Sequence, residues 1–196
     1  MVWQGANRVE ADRIDIDRTR EVFEAHGKVV SQFADRAPGP AAAAKTSGGA
    51  VAARKTPAAP LFTVVRAPDL VYDERSRIAN YRGGASLTRP GLAVAAQEIR
   101  AYLAPPEAES SLEKAFAEGA VKIVSTPGKR TRTGTSGHAE YYTAEQKVLL
   151  QGDDPLLVDS VTGQTRGQQL TWWANNDRLL VNGVENRPAD SLLRKK

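Results

Sequence analysis

The chain has 196 residues, 41% of them apolar and 26% charged, enough to bury a sizeable core in one or two globular domains. It contains no cysteine, which excludes disulfides, thiolate metal sites and cysteine nucleophiles. The net charge of +4 includes Lys45, Arg54 and Lys55 in an acid-free stretch and Arg194, Lys195 and Lys196 at the end; without those six the rest stands at −2, so the folded part has no nucleic-acid footprint.

In chain order, residues 1–13 hold Val2 and Trp3 but no apolar core, and they carry Glu10 and Asp12. They do not read as a signal peptide, and no later stretch reaches the ~18–20 apolar residues of a membrane span. The expectation is a cytoplasmic chain or a processed piece of a longer one. Residues 13–18 alternate strictly, as a half-buried strand does. A helix over 12–24 competes, with good helix formers before Gly27. Residues 37–60 are Ala/Pro/Gly-rich with Val51 as the largest apolar side chain, too little to order a core, so the expectation is a disordered excursion between two strands.

Residues 61–89 give a strand to Tyr72, a charged turn at 73–77 and a return from Ile78 through Gly83 and Gly84. Residues 92–103 fit a helix by propensity and a strand by alternation; the strand is preferred. Pro105 to Ser110 read as an insertion loop, with a short helical turn at 110–115 as an option. A strand follows at 116–124, then a loop through 125–137. Shorter strands are expected at 147–150, 156–158, 165–173 and 179–181, with turns at 153–155, 162–164 and 175–177. Short strands at this spacing, with turns between them, indicate an all-β fold.

The strand assignments rest on a repeated frame. A small residue is followed three on by an apolar residue, two further by an aromatic or apolar one, and eleven beyond by glycine. Ser136, Ala139, Tyr141, Gly152 and Gly167, Leu170, Trp172, Gly183 are the clearest copies. Ala11, Ile14, Ile16, Gly27 and Ala67, Leu70, Tyr72, Gly83 keep the spacing; Ala96, Ile99, Ala101, Gly119 fits with seven extra residues. Each copy reads as two antiparallel strands with one apolar face, and the glycine marks a bend. Single hairpins are marginal, so the copies must stack.

Signals for chemistry are weak. Ser136, His138 and Glu140 suggest a triad, but no nucleophile elbow surrounds the serine. Asp153 and Asp154 sit beside Pro155 as a turn, without further ligand spacing. Residues 127–131 fail the phosphate-loop pattern, since Ile123 stands at the first glycine position and Arg130 at the Ser/Thr position. Lys129, Arg130 and Arg132 form a basic cluster suited either to solvent or to phosphate. Of Trp172 and Trp173, one ring must face in and the other out.

The runs 70–103 and 136–183 resemble the OstA-like, LptA/LptC family of lipopolysaccharide-transport proteins, with Tyr141, Gly152, Leu170 and Gly183 carrying most of the likeness. It covers roughly 61–187, and more weakly 6–33. It implies an open antiparallel β-jellyroll of stacked strand pairs, in a periplasmic, non-enzymatic protein without cofactor or metal. Lipopolysaccharide would lie with its acyl chains in the groove, and jellyrolls would join end to end with other Lpt proteins or with copies of themselves. The division expected is a first β unit at 1–36, the excursion at 37–60, the main jellyroll at 61–187 and a basic tail at 188–196. The residues expected to line the groove are Ile14, Ile16, Leu70, Tyr72, Leu87, Ile99, Val121, Ile123, Tyr141, Leu150, Leu170, Trp172 and Val181, with Lys129, Arg130 and Arg132 as weaker phosphate contacts. The same residues could instead fill a dry core. The alternative function is a carbohydrate-active or sugar-binding β module using Glu140, Asp153 and Asp154, with Trp173 as a platform.

Overall fold

The computed structural model describes residues 2–4, 7–35, 61–105, 112–126, 128–173, 178–183 and 189–193. The expected excursion at 37–60, most of the insertion loop and the last three residues lie outside them. Among the described residues, fifteen antiparallel strands form one sheet. They are β1 (Val2–Gln4), β2 (Asn7–Glu10), β3 (Arg13–Asp17), β4 (Val22–Asp35), β5 (Leu61–Asp73), β6 (Ile78–Arg89), β7 (Leu92–Leu103) and β8 (Leu112–Ser125), followed by β9 (Arg132–Tyr142), β10 (Lys147–Gln151), β11 (Leu156–Asp159), β12 (Gly163–Arg166), β13 (Gln169–Trp173), β14 (Arg178–Asn182) and β15 (Asp190–Leu193). Among the described residues there is no helix.

The sheet is a meander broken along one line. The register slips between His26 and Val29, Arg66 and Asp69, Arg82 and Ala85, Ala95 and Glu98, and Glu118 and Val121. At the same level β2 gives way to β3, β10 to β11 and β12 to β13. Each long strand therefore contributes one half to each of two walls. The first wall holds β3, β10, β13, β14 and the halves of β4 to β9 beside them. The second holds β2, β11, β12, β15 and the remaining halves.

The repeated frame falls on this line. Gly27, Gly83, Gly119 and Gly152 sit at the slips with φ between 73° and 85°, followed by further left-handed residues at Lys28, Gly84, Ala120 and Asp153. Two successive left-handed residues turn a strand sharply, and glycine takes the first at no steric cost. The small residues that begin each copy lie on the neighbouring strands at the same bend. Asp12, just after Ala11, donates its backbone N–H to the Gly27 carbonyl, and Gly137, just after Ser136, donates to Gly152. The five hairpins of the repeat are then the five hairpins of the first wall. Asp17 and Asp73 accept from backbone N–H groups two and three residues on, closing four-residue turns whose last residues, Glu21 and Arg77, are left-handed.

Three local expectations differ. Residues 112–115 continue β8 instead of forming a helical turn, because Leu112 and Ala115 are buried core residues. The expected loop at 125–137 ends at Arg132, where β9 begins. Residues 190–193, expected in the tail, form β15 against β12.

The walls face one another across an apolar core. A Cβ on Gly134 of the second wall would lie 2.6 Å from Leu150 and 3.3 Å from the Trp172 ring on the first. The first wall offers Leu70, Tyr81, Ile99, Leu150 and Leu170, and the second offers Val29, Val65, Leu87, Val121 and Ile123, all at most 2% exposed. The fold is an open β-jellyroll, a folded trough with its crease along the glycine line.

Candidate functional site

The interior of the trough is ordered in register rows. One row of the first wall runs Ile14, Ala25, Leu70, Tyr81, Ile99, Ala117, Ala139, Leu150, Leu170 and Val181 across ten strands. The next row toward the lip contains Ile16, Tyr72, Tyr141 and Trp172. Leu87, Val121 and Ile123 project from the second wall. The structure thus brings the expected lining residues to one interior, most of them fully buried, with Ile14, Tyr72 and Val181 packed at its margins. Ile16 is the exception at 57% exposed. Among the described residues it sits on an edge strand that pairs with β4 alone.

Between the walls lies a narrow cleft of about 10 Å³, partly open to solvent, lined among others by Leu87, Val94, Ile99, Ile123, Ala139 and Tyr141. Alanines at 101, 115, 117 and 139 keep the first wall low there. Burial of so many apolar groups is the dominant stabilising term, at about 25 cal/mol per Å². A few polar atoms interrupt it. The Tyr81 hydroxyl, the Ser31 hydroxyl and the Trp172 indole N–H are buried without a well-formed hydrogen bond. Burial pushes the Tyr81 hydroxyl well above its usual range, and the nearby Ser31 hydroxyl opposes the rise.

The basic cluster is not a solvated loop. Arg132 and Asp159 point inward at the lip of the second wall, each 5% exposed in its side chain. Arg132 Nε donates to Asp159 at 3.0 Å, and Arg130 Nε donates to both Asp159 oxygens at 2.9 and 2.7 Å. Burial opposes ionisation of Asp159. Arg130, the Val161 N–H, Arg132 and the Thr162 N–H outweigh it and hold the carboxyl well below the usual carboxylate range. Arg130 and Arg132, expected as weaker phosphate contacts, are therefore paired with an internal carboxylate. Lys129 remains exposed in the turn.

A cation that sequence reasoning missed lies inside the mouth. Arg89 ends β6 on the same parity as the buried Ala85 and Leu87. It reaches from the second wall to the first, where its Nη1 donates to the Tyr141 hydroxyl at 2.6 Å. The signal that finds it is the apolar alternation of 85 and 87, which continues to 89.

The outer face of the first wall carries a different order. Tyr102, Lys114, Tyr142, Lys147, Trp173 and Arg178 stand side by side in register near the lip. Lys114 lies 4.8 Å from the Tyr102 ring centroid, Lys147 4.2 Å from Tyr142 and Arg178 4.9 Å from Trp173. Each such pair contributes about 0.5–1 kcal/mol at an exposed site. Trp173 is accordingly half-buried under Arg178, while Trp172 is 1% exposed in the core.

The residues of the enzymatic alternative are engaged elsewhere. The Ser136 hydroxyl donates to the His138 carbonyl. His138 bridges Glu118 at 2.7 Å and Glu140 at 3.2 Å on the outer face, and Tyr142 donates to Glu140. Asp153 and Asp154 are left-handed residues of the bend, and Asp154 pairs with Arg166. Among the described residues, no group of His, Asp or Glu is arranged to hold a metal.

Comparison with known proteins gives a fold and no sequence family. No family model matches the chain, and no curated protein matches it in sequence. Among solved structures it is similar to LptH of Pseudomonas aeruginosa, described as the LptA-homologous periplasmic component of the lipopolysaccharide transport device. The TM-score is 0.59 at 14% identity, over 68% of this chain and 95% of that one.

Proposed function

We propose that this chain is a non-enzymatic periplasmic carrier that binds lipopolysaccharide, with acyl chains held between the two walls. One observation carries the reading: a single apolar interior spans every strand pair from β4 to β13. Likeness to the fold of LptH supports it. The cleft is narrow, so a chain enters as the walls part about the glycine line. Each CH₂ then buried contributes about 0.8 kcal/mol, offset by the cost of separating apolar side chains that touch across the walls.

The carrier passes its cargo on by joining end to end with other jellyrolls of this kind, or with itself. The sheet supports this at both ends. Among the described residues of the first wall, β3 pairs only with β4, and β14 only with β13. Strand edges of this kind take a further strand by β-augmentation. Leu179 and Leu180 on β14 are 39% and 41% exposed, apolar surface that a docked neighbour would cover.

Lipopolysaccharide titrated into the purified chain is expected to displace an apolar fluorophore from the trough and to raise the melting midpoint. The absence of both displacement and a shift at saturating lipid would contradict the reading. For the joint, the double variant Leu179→Lys, Leu180→Lys is expected to abolish concentration-dependent assembly in sedimentation velocity while keeping the melting midpoint within about 2 °C, as for other surface changes. Unchanged assembly would move the joint away from β14.

A further inference from the structure

We propose that Arg89 anchors the anionic head group of an amphiphile whose acyl chain enters the cleft, with Tyr141 as the neutral partner that the anion displaces. The inference rests on the trough being an acyl-chain site and adds the head-group contact to it.

Several arginines of the two walls are paired with carboxylates. Arg130 and Arg132 share Asp159, Arg82 and Arg100 share Glu98, and Arg75 pairs with Glu21. Arg89 is half-buried, yet its contacts are with Tyr141: the hydrogen bond to the hydroxyl, and a guanidinium carbon 5.5 Å from the ring centroid. Among the described residues no carboxylate pairs with it. A phenol accepts one hydrogen bond and leaves the charge uncompensated, an unfavourable state for a partly desolvated cation.

The position of this charge indicates the ligand. Arg89 lies two residues beyond Leu87, at the mouth of the cleft that Leu87, Val94, Ile99, Ile123 and Tyr141 line. A cation over an apolar slot matches an anion carrying an apolar tail. A phosphate or carboxylate meets the guanidinium fork with two charge-assisted hydrogen bonds, which outcompete one bond to a neutral phenol. Because the Arg89–Tyr141 bond joins the two walls, exchanging the phenol for an anion also releases the lip at the point where the tail must pass.

The test uses the full chain and three probes by calorimetry: dodecyl phosphate and dodecyl maltoside, both below their micellar concentrations, and inorganic phosphate. Arg89→Gln is expected to weaken dodecyl phosphate by about 10–100-fold, the range for loss of hydrogen bonds to a charged group, and to leave dodecyl maltoside within about twofold. Arg89→Lys, which keeps the charge and loses the fork, is expected to fall between. Tyr141→Phe removes the competing hydroxyl and keeps the ring, so it is expected to tighten dodecyl phosphate severalfold, and by more than it tightens dodecyl maltoside. Equal weakening of both amphiphiles in Arg89→Gln, or of neither, would overturn the anchor while leaving the trough intact. Failure of the native chain to bind either amphiphile would overturn the trough and the anchor together. Inorganic phosphate binding as tightly as dodecyl phosphate would make this a plain anion site and overturn the amphiphile.

Discussion

At the scale of single residues, the lip of the second wall is held by one buried charge cluster. Asp159 is ionised against Arg130 and Arg132 and has a depressed pKa in the folded chain. A carboxyl with a lowered folded pKa stabilises fully above its unfolded pKa, about 3.9, and loses that contribution as pH falls toward the folded value. The melting midpoint of the native chain should therefore hold from pH 7 to about pH 5 and fall below about pH 4. Asp159→Asn takes from the buried Arg132 its carboxylate and should cost about 3–5 kcal/mol in urea unfolding at pH 7. A loss under about 1 kcal/mol would mean that the cluster is solvated.

Residue roles were unevenly legible. The apolar lining could be read because alternation marks a buried face wherever it lies. The fate of Arg130 and Arg132 could not, because it depends on Asp159, about 27 residues further along the chain and brought opposite Arg132 only when β11 pairs with β9. Leu170 shows a related limit. It is fully buried, so a charge placed there would unfold the wall rather than report on a ligand.

At the scale of elements, the crease explains why the frame recurs. A strand that must turn from one wall to the other needs a left-handed residue at a fixed distance from its hairpin. Glycine takes that place at Gly27, Gly83, Gly119 and Gly152. The repeat is thus a record of bends, and the strands are what lies between them. Gly119 has φ +77°, and a Cβ there would lie 2.8 Å from the Gln97 side chain. Gly119→Ala should cost about 1–2 kcal/mol, the penalty for a left-handed residue with a side chain, measured as a lower urea midpoint at an unchanged slope. An unchanged midpoint would mean that the bend relaxes freely.

The sequence did not show that the copies share one crease. Register between strands far apart in the chain decides that, as it decides that Ile16 falls on an edge while Tyr72, two strands along the row, is covered. Nor could the frame show the row of cations and rings outside the first wall. Its members belong to several copies and meet only once the strands pair.

At the scale of the whole molecule, the two walls have different tasks. The first carries every hairpin of the repeat, an apolar inner row across ten strands and a polar outer face. The second closes over it and supplies Arg89 and the Asp159 cluster at the lip. If the trough carries acyl chains as proposed, a trough built by repetition offers a long apolar guest the same surroundings at each step.

Photo-crosslinking with alternating probes tests this account most directly. A photoreactive residue is placed in turn at Val94 or Tyr141, which face the trough, and at the neighbouring Ala95 or Tyr142, which face outward. Each variant is then exposed to labelled lipopolysaccharide. The account predicts strong labelling at 94 and 141 and little at 95 and 142, because adjacent strand residues point to opposite faces. Equal labelling within each pair, or labelling confined to the outward positions, would contradict it.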